Sequence, residues 1–247
     1  MAISAPHYHC LKELHRRGEL PQGGALLEIG EANWYGDLSP QVVLDEWRAA
    51  GSPAMCSWSE GSDWDSFNVV KAVYATLFRA ADVLSLDKHG TPKAQPAQLN
   101  DPVYLLKKYS TVINHGTLEH IFNPAQVLKT MHDHCAVGGL LIHESPFAGW
   151  IDHGFWTIQP TLYFDLAAAN QYQMVFMAVN QIELGLSVEV KSREQLLQLA
   201  AHGNVPNNSM LYVAMRKAVD AEFKIPMQGY YAETISDEAS KAWKELR

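Results

Sequence analysis

The stretch Ser110-Thr111-Val112-Ile113-Asn114-His115-Gly116-Thr117-Leu118-Glu119-His120-Ile121-Phe122-Asn123-Pro124 passes from an apolar run through a polar turn to a helix start. Residues 110–113 predict a strand, and Asn123 as N-cap with Pro124 at the first helical position predicts a helix over 124–135. A Gly138-Gly139 turn then leads into a further strand over 140–143. Upstream, the run 25–29 closed by Gly30 reads as a strand, and 81–86 reads as another, following a helix-period segment over 65–79. Residues 93–99 predict a weaker strand, because Pro96 cannot donate to a central ladder. Downstream, a Gly- and aromatic-rich loop over 146–159 precedes a helix over 160–170 and apolar runs over 173–179 and 210–215. Helices are also expected over 11–17 and 237–246. Strands alternating with helices predict an α/β chain built on a parallel sheet. No repeat or linker interrupts it, so residues 24–217 read as one α/β domain, with an N-terminal helical extension (1–23) and a C-terminal helical tail (218–247).

The 247 residues are 47% hydrophobic and 19% charged, a composition that excludes intrinsic disorder. The net charge is −8, from 19 Lys plus Arg against 27 Asp plus Glu, and no dense basic cluster is present, so nucleic-acid binding is not expected. Three widely spaced cysteines, Cys10, Cys56 and Cys135, fit a reducing compartment. The N-terminus lacks the pattern of a signal peptide, and no apolar run approaches the ~20 residues of a spanning helix. A cytoplasmic protein that does not associate with membranes is expected.

In open parallel sheets, ligands sit beyond the carboxyl ends of the strands. Those ends carry Glu28, Gly30 and Glu31; Asp87; Asn114, His115, Glu119 and His120; and Glu144. Asp87 is placed to accept hydrogen bonds from the two hydroxyls of a ribose, and equally to cap a surface turn. Gly30 is followed by Glu31-Ala32-Asn33-Trp34-Tyr35 before Gly36, so the dinucleotide fingerprint G-x-G-x-x-G is missing, as is the triphosphate loop G-x-x-x-x-G-K-[ST]. An adenosyl ligand without phosphates needs neither, and Glu28 and Glu31 suit a cationic one.

Leu27-Glu28-Ile29-Gly30, Asp87, and above all residues 112–124 followed by Gly138-Gly139-Leu140-Leu141-Ile142 resemble the class I S-adenosylmethionine-dependent methyltransferases. The resemblance covers about residues 24–217. It implies a Rossmann-like, seven-stranded, mostly parallel sheet with helices on both faces and an antiparallel last strand, 210–215, lying beside 173–179. It implies S-adenosyl-L-methionine as cofactor, with Glu28 and Gly30 shaping the methionine site, Asp87 on the ribose, and Asn114 and His115 beneath the sulfonium. Gln98 stands where an adenine-facing residue is expected. The glycine-rich loop is degenerate: Ala32 and Trp34 replace its second and third glycines, and the Trp34 ring stands where the backbone should come close, which leaves open whether cofactor binding is kept, altered or lost.

Methyl transfer needs positioning, and a base where the acceptor must lose a proton. His115, His120 and His153 are the candidate bases by their places beyond strand ends, with Asp152 available to orient His153. His143, inside a strand, reads as a packed residue. Trp150, Asp152, Phe155 and Trp156 are candidate acceptor contacts, whereas Tyr163, Leu166 and Asn170 follow helical spacing and should pack on the sheet. No metal site is assigned. His132 and His134 are two apart on a helix and point about 200° away from each other, and His7-Tyr8-His9-Cys10 lacks a second ligand pair. The reading is a methyltransferase of a small, natural-product or sugar-like molecule, possible as a homodimer. The alternatives are a different enzyme on the same scaffold and a non-catalytic partner subunit.

Overall fold

The computed structural model describes residues 2–35, 38–49, 66–234, 236–239 and 241. Its centre is a seven-stranded sheet in the order β4-β2-β5-β6-β9-β7-β8, with β2 Ala25–Ile29, β4 Asp82–Leu86, β5 Tyr109–His115, β6 Cys135–Ala148, β7 Tyr172–Gln181, β8 Leu186–Glu189 and β9 Ser209–Lys217. β4, β2, β5 and β6 are mutually parallel, whereas β9 runs antiparallel to both β6 and β7. A two-stranded parallel pair, β1 Ala2–Ile3 with β3 Asn33–Trp34, lies apart from the sheet.

Strands buried on both faces read as near-continuous apolar runs. Leu26, Ile113, Ile142 and Tyr212 point to one face, where they pack with α1 (Ala5–Arg16) and α3 (Ser66–Leu77). Leu27, Val112, Leu141 and Val213 point to the other, under α4 (Pro124–His134) and α5 (Pro160–Asn170). Among the described residues, helices also form at α2 (Pro40–Ala49), α6 (Arg193–Ala201) and α7 (Gly229–Thr234).

The expected strand at 25–29 and helix at 160–170 are found with those bounds, and α4 begins at Pro124 with the Asn123 Oδ1 accepting the Gln126 N–H at 3.3 Å. Tyr163, Leu166 and Asn170 are buried as expected. The seven strands are not the seven expected. Residues 93–99 form only an isolated bridge, Leu86 with Gln95, because the next residue is Pro96, which has no N–H to continue the ladder. The seventh strand is β8, added at the opposite edge. Of the expected terminal helix, residues 237–239 and 241 are helical, and 242–246 lie outside the described residues, as does Cys56. Among the described residues no helix is long and apolar enough to cross a membrane.

The Trp34 ring does not stand over Gly30. It is buried in the core against Tyr8, at 5.6 Å between ring centroids, and donates its Nε1–H to the Leu38 carbonyl at 2.8 Å. β3 pairs with β1, and the indole packs in the same core cluster as the α1 residues Tyr8 and Leu11.

Candidate functional site

Two cavities open beyond the carboxyl ends of the parallel strands and adjoin at His120. The smaller, about 330 Å³, is lined by Gly30, Asp87, Gln98 and Thr117 among others, at the ends of β2, β4 and β5. The larger, about 400 Å³, is lined by Ser4, His7, Glu119, Glu144, Trp150 and His153, with His120 shared. β2 and β5 are the strands between which chain connectivity changes direction, the usual binding crevice of such sheets.

The rim of the smaller cavity is held by side chains bonded to backbone. Asp87 accepts the Glu31 N–H at 2.9 Å and the His89 N–H at 2.8 Å, which ties the loop after β4 to the loop after β2. A carboxylate has further lone pairs, so these bonds leave Asp87 able to accept hydroxyls. Glu31 is buried and bound to the Thr91 N–H and hydroxyl at 2.7 and 3.0 Å. Gly30, at φ +75°, makes the tight turn out of β2. Gln98 bonds Asn100 at the exposed rim. Two residues expected to contact a cofactor point elsewhere. Glu28 is buried against α3, where Lys71, Tyr74 and Ser85 donate to its carboxylate. Asn114 spends its side chain on the turn after β5: its Oδ1 accepts from the Thr117 and Leu118 amides at 3.1 and 3.0 Å, and its Nδ2 donates to the Glu144 carbonyl at 3.2 Å.

At the floor of the larger cavity, α1 supplies a group the sequence reading left without a role. His7 stands three residues after the N-cap Ser4, and its Nδ1 accepts the Ser4 N–H at 3.0 Å, an imidazole in the place a Glu takes in a capping box. Since Nδ1 accepts, the proton is on Nε2, which faces Glu144 Oε1 in direct contact. Glu144 Oε2 lies 3.5 Å from His115 Nδ1. His115 and Glu144 fall on the same sheet face because they pair in register on neighbouring parallel strands. His115 does not line the cavity; it sits behind Glu144 with neither nitrogen hydrogen-bonded, and Tyr212 packs against it with its hydroxyl also unpartnered.

Burial dominates the electrostatics. Desolvation, and then the neighbouring Glu119, raise Glu144 well above the usual carboxylate range, while desolvation and then His115 hold His7 well below the usual imidazole value. His115 is pushed down to about 3 by burial alone, so it is neutral at any ordinary pH. Glu119 is pushed up to about 7 by burial. A carboxylate raised toward neutrality is matched to take a proton from a substrate O–H or N–H.

His153 is carried on a built loop. Gly149, Trp150 and Asp152 have φ of +76°, +57° and +61°, a left-handed geometry that non-glycine residues adopt only under constraint. The constraint is visible: the Trp150 N–H donates to Asn208 Oδ1 and its Nε1–H to the Ser209 carbonyl, both at 3.0 Å, and the Phe155 N–H donates to the Glu119 carbonyl at 2.8 Å. Trp150 and His153 therefore line the larger cavity, whereas Asp152 is exposed, and Phe155 and Trp156 lie outside with Phe122 as an exposed aromatic group. His143 is packed, as expected, its ring against Tyr163 on the α5 side. His132 and His134 serve separate structural bonds, to Tyr172 and Ala221 and to Thr130 and Leu105.

No protein-family model matches this sequence, and no curated protein matches it. Solved structures do resemble it. The N-methyltransferase NodS from Bradyrhizobium japonicum WM9, in complex with S-adenosyl-L-homocysteine, is 11% identical, covering 87% of this chain and 89% of that one, with a TM-score of 0.49. YcgJ from Bacillus subtilis is 10% identical over 87% of this chain and 100% of its own, at 0.47. The 1,6-didemethyltoxoflavin-N1-methyltransferase of Burkholderia thailandensis, with its substrate and S-adenosylhomocysteine bound, is 11% identical over 87% and 79%, at 0.39. The fold assignment itself rests on the strand order, with β9 inserted antiparallel between β6 and β7.

Proposed function

We propose that this chain is an S-adenosylmethionine-dependent methyltransferase acting on a small molecule. The observation that carries the reading is the pair of cavities meeting at His120. In-line displacement at a sulfonium carbon requires a donor and an acceptor side by side, and the two cavities supply a place for each. In this reading the adenosine and ribose lie in the smaller cavity, with Asp87 on the ribose hydroxyls, Gly30 letting the backbone come close, and Gln98 at the adenine end. The acceptor would occupy the larger cavity, whose lining includes Gly116, Trp150, His7 and Glu144.

Glu144, in its ionised form, takes the acceptor proton and becomes neutral, while His7, oriented by Ser4, faces its carboxylate through Nε2. This moves the base away from His115, which lies behind Glu144. The N-terminal extension is then part of the active site, docked on a catalytic domain of residues 24–217. S-adenosylmethionine bound here supplies the electrophilic methyl group; the protein supplies position and proton acceptance.

Isothermal calorimetry with S-adenosylmethionine and S-adenosylhomocysteine tests the first half. Micromolar binding, weakened by at least about tenfold in Asp87→Ala and more mildly in Gln98→Ala, is expected, each tenfold step being about 1.4 kcal/mol. Absence of binding at millimolar ligand overturns the reading.

A further inference from the structure

We infer that Glu119, His120 and His153 form a binding site for a divalent transition-metal cation whose remaining coordination positions face the larger cavity. One donor atom from each of the three lies within 4.8 Å of the others. A triangle of that side has its centre about 2.8 Å from each corner, against the ~2.0–2.2 Å of metal bonds to His nitrogen and carboxylate oxygen. His120 and His153 are exposed, and a shift of about 0.6–0.8 Å per ligand toward the centre closes the difference.

Three further features separate this cluster from histidines that happen to be neighbours. Glu119 is 1% exposed, yet neither carboxylate oxygen has a hydrogen-bond partner, and the residue lines the cavity. A buried carboxylate without a partner is costly, and a bound cation removes the cost. The loop bearing His153 is fixed to the same residue, through the Phe155 N–H on the Glu119 carbonyl, which brings the His120 and His153 rings to 5.1 Å. That approach requires Gly154, where a Cβ would lie 3.0 Å from the Glu119 carbonyl oxygen and 3.2 Å from His120 Nδ1. Backbone strain at Trp150 and Asp152 is thus spent on holding a histidine at one point.

Two imidazoles and one carboxylate suit zinc, iron(II) or cobalt(II), and suit magnesium and calcium poorly, since those prefer all-oxygen sets. Three protein ligands leave positions open, as in catalytic rather than structural sites. The open positions face the cavity, so the ligand class is a small molecule presenting an oxygen, nitrogen or sulfur donor. The cation site does not depend on methyl transfer; where that reading also holds, the metal-bound molecule is the acceptor.

The test uses the untagged full chain, stripped of metal, with no cofactor or acceptor present. It is dialysed against zinc or cobalt(II) and its metal content measured by mass spectrometry. One equivalent is expected at micromolar free metal. His120→Ala and His153→Ala should each weaken binding by at least about 100-fold, since even outer-sphere losses reach that range, while the exposed His202→Ala should not. The cobalt form should show visible ligand-field absorption that shifts when imidazole is added. Substoichiometric uptake, or uptake unaffected by both alanine variants, overturns the site. Both variants are at exposed positions, so the outcome does not hinge on folding of a Glu119 variant, and failure to bind S-adenosylmethionine leaves it intact.

Discussion

His143 gives a pH dependence of stability that can be worked in advance. Its ring is buried between β6 and Tyr163 of α5, Nδ1 has no hydrogen-bond partner, and burial pushes its pKa down to about 3. In the unfolded chain the same imidazole titrates near 6.5. The folded value is the depressed one, so its stabilising effect is fully present above about pH 6.5 and is lost as pH falls toward 3. Between about pH 7.5 and about pH 5, linkage at about 1.4 kcal/mol per pH unit below the unfolded pKa costs the folded protein about 2 kcal/mol from this residue alone. Replacing it removes that loss. In His143→Leu, whatever the leucine costs in packing is independent of pH and cancels when two pH values are compared, as do the other titrating groups. Urea unfolding of both proteins at the two pH values, read by fluorescence, should show wild type losing about 2 kcal/mol more than the variant over this interval. Equal losses in the two proteins would refute the reasoning, because His143 would then be protonating in the folded state as readily as in the unfolded chain.

Two further outcomes follow from burial elsewhere. Trp34→Ala should destabilise the protein by about 3–5 kcal/mol in chemical unfolding while leaving S-adenosylhomocysteine affinity unchanged; tighter binding in the variant would restore the indole as an obstruction. Burial pushes both Cys10 and Cys135 up to about 12, so in Cys56→Ser the native protein should resist iodoacetamide near pH 8, where an unhindered thiol reacts readily. Rapid double alkylation of the folded protein, followed by intact-mass measurement, would contradict that placement.

Where the sequence was readable, local chemistry settled the element. Asn123 and Pro124 start α4, and Gly30 ends β2, through bonds made within a few residues. What the sequence hid is non-local. His7 sits in a terminal helix and Glu144 at a strand end; nothing nearby reveals that capping by Ser4 aims one at the other. The faces of β5 were equally hidden, because Val112 and Ile113 are both apolar under helices on both sides, so alternation could not say whether Asn114 or His115 turns toward α1. The position of His153 depends on Asn208 and on the Glu119 carbonyl, and that of Trp34 on pairing with Ala2–Ile3. Glu119 was visible as a strand-end acid, but only its lack of partners marks it out.

The insertion of β9 between β6 and β7 also bears on how the protein is made. Neighbouring strands lie about 4.8 Å apart, so β6 and β7 can be joined across their final spacing of about 10 Å only once Ser209–Lys217 is available to lie between them. The sheet cannot be finished during synthesis of its earlier strands. Closure waits on contacts far apart in the chain, which makes folding slow and leaves two sticky edges open in the interval. Production in cells should therefore respond more to chaperone supply and lowered temperature than to changes on the finished protein's surface.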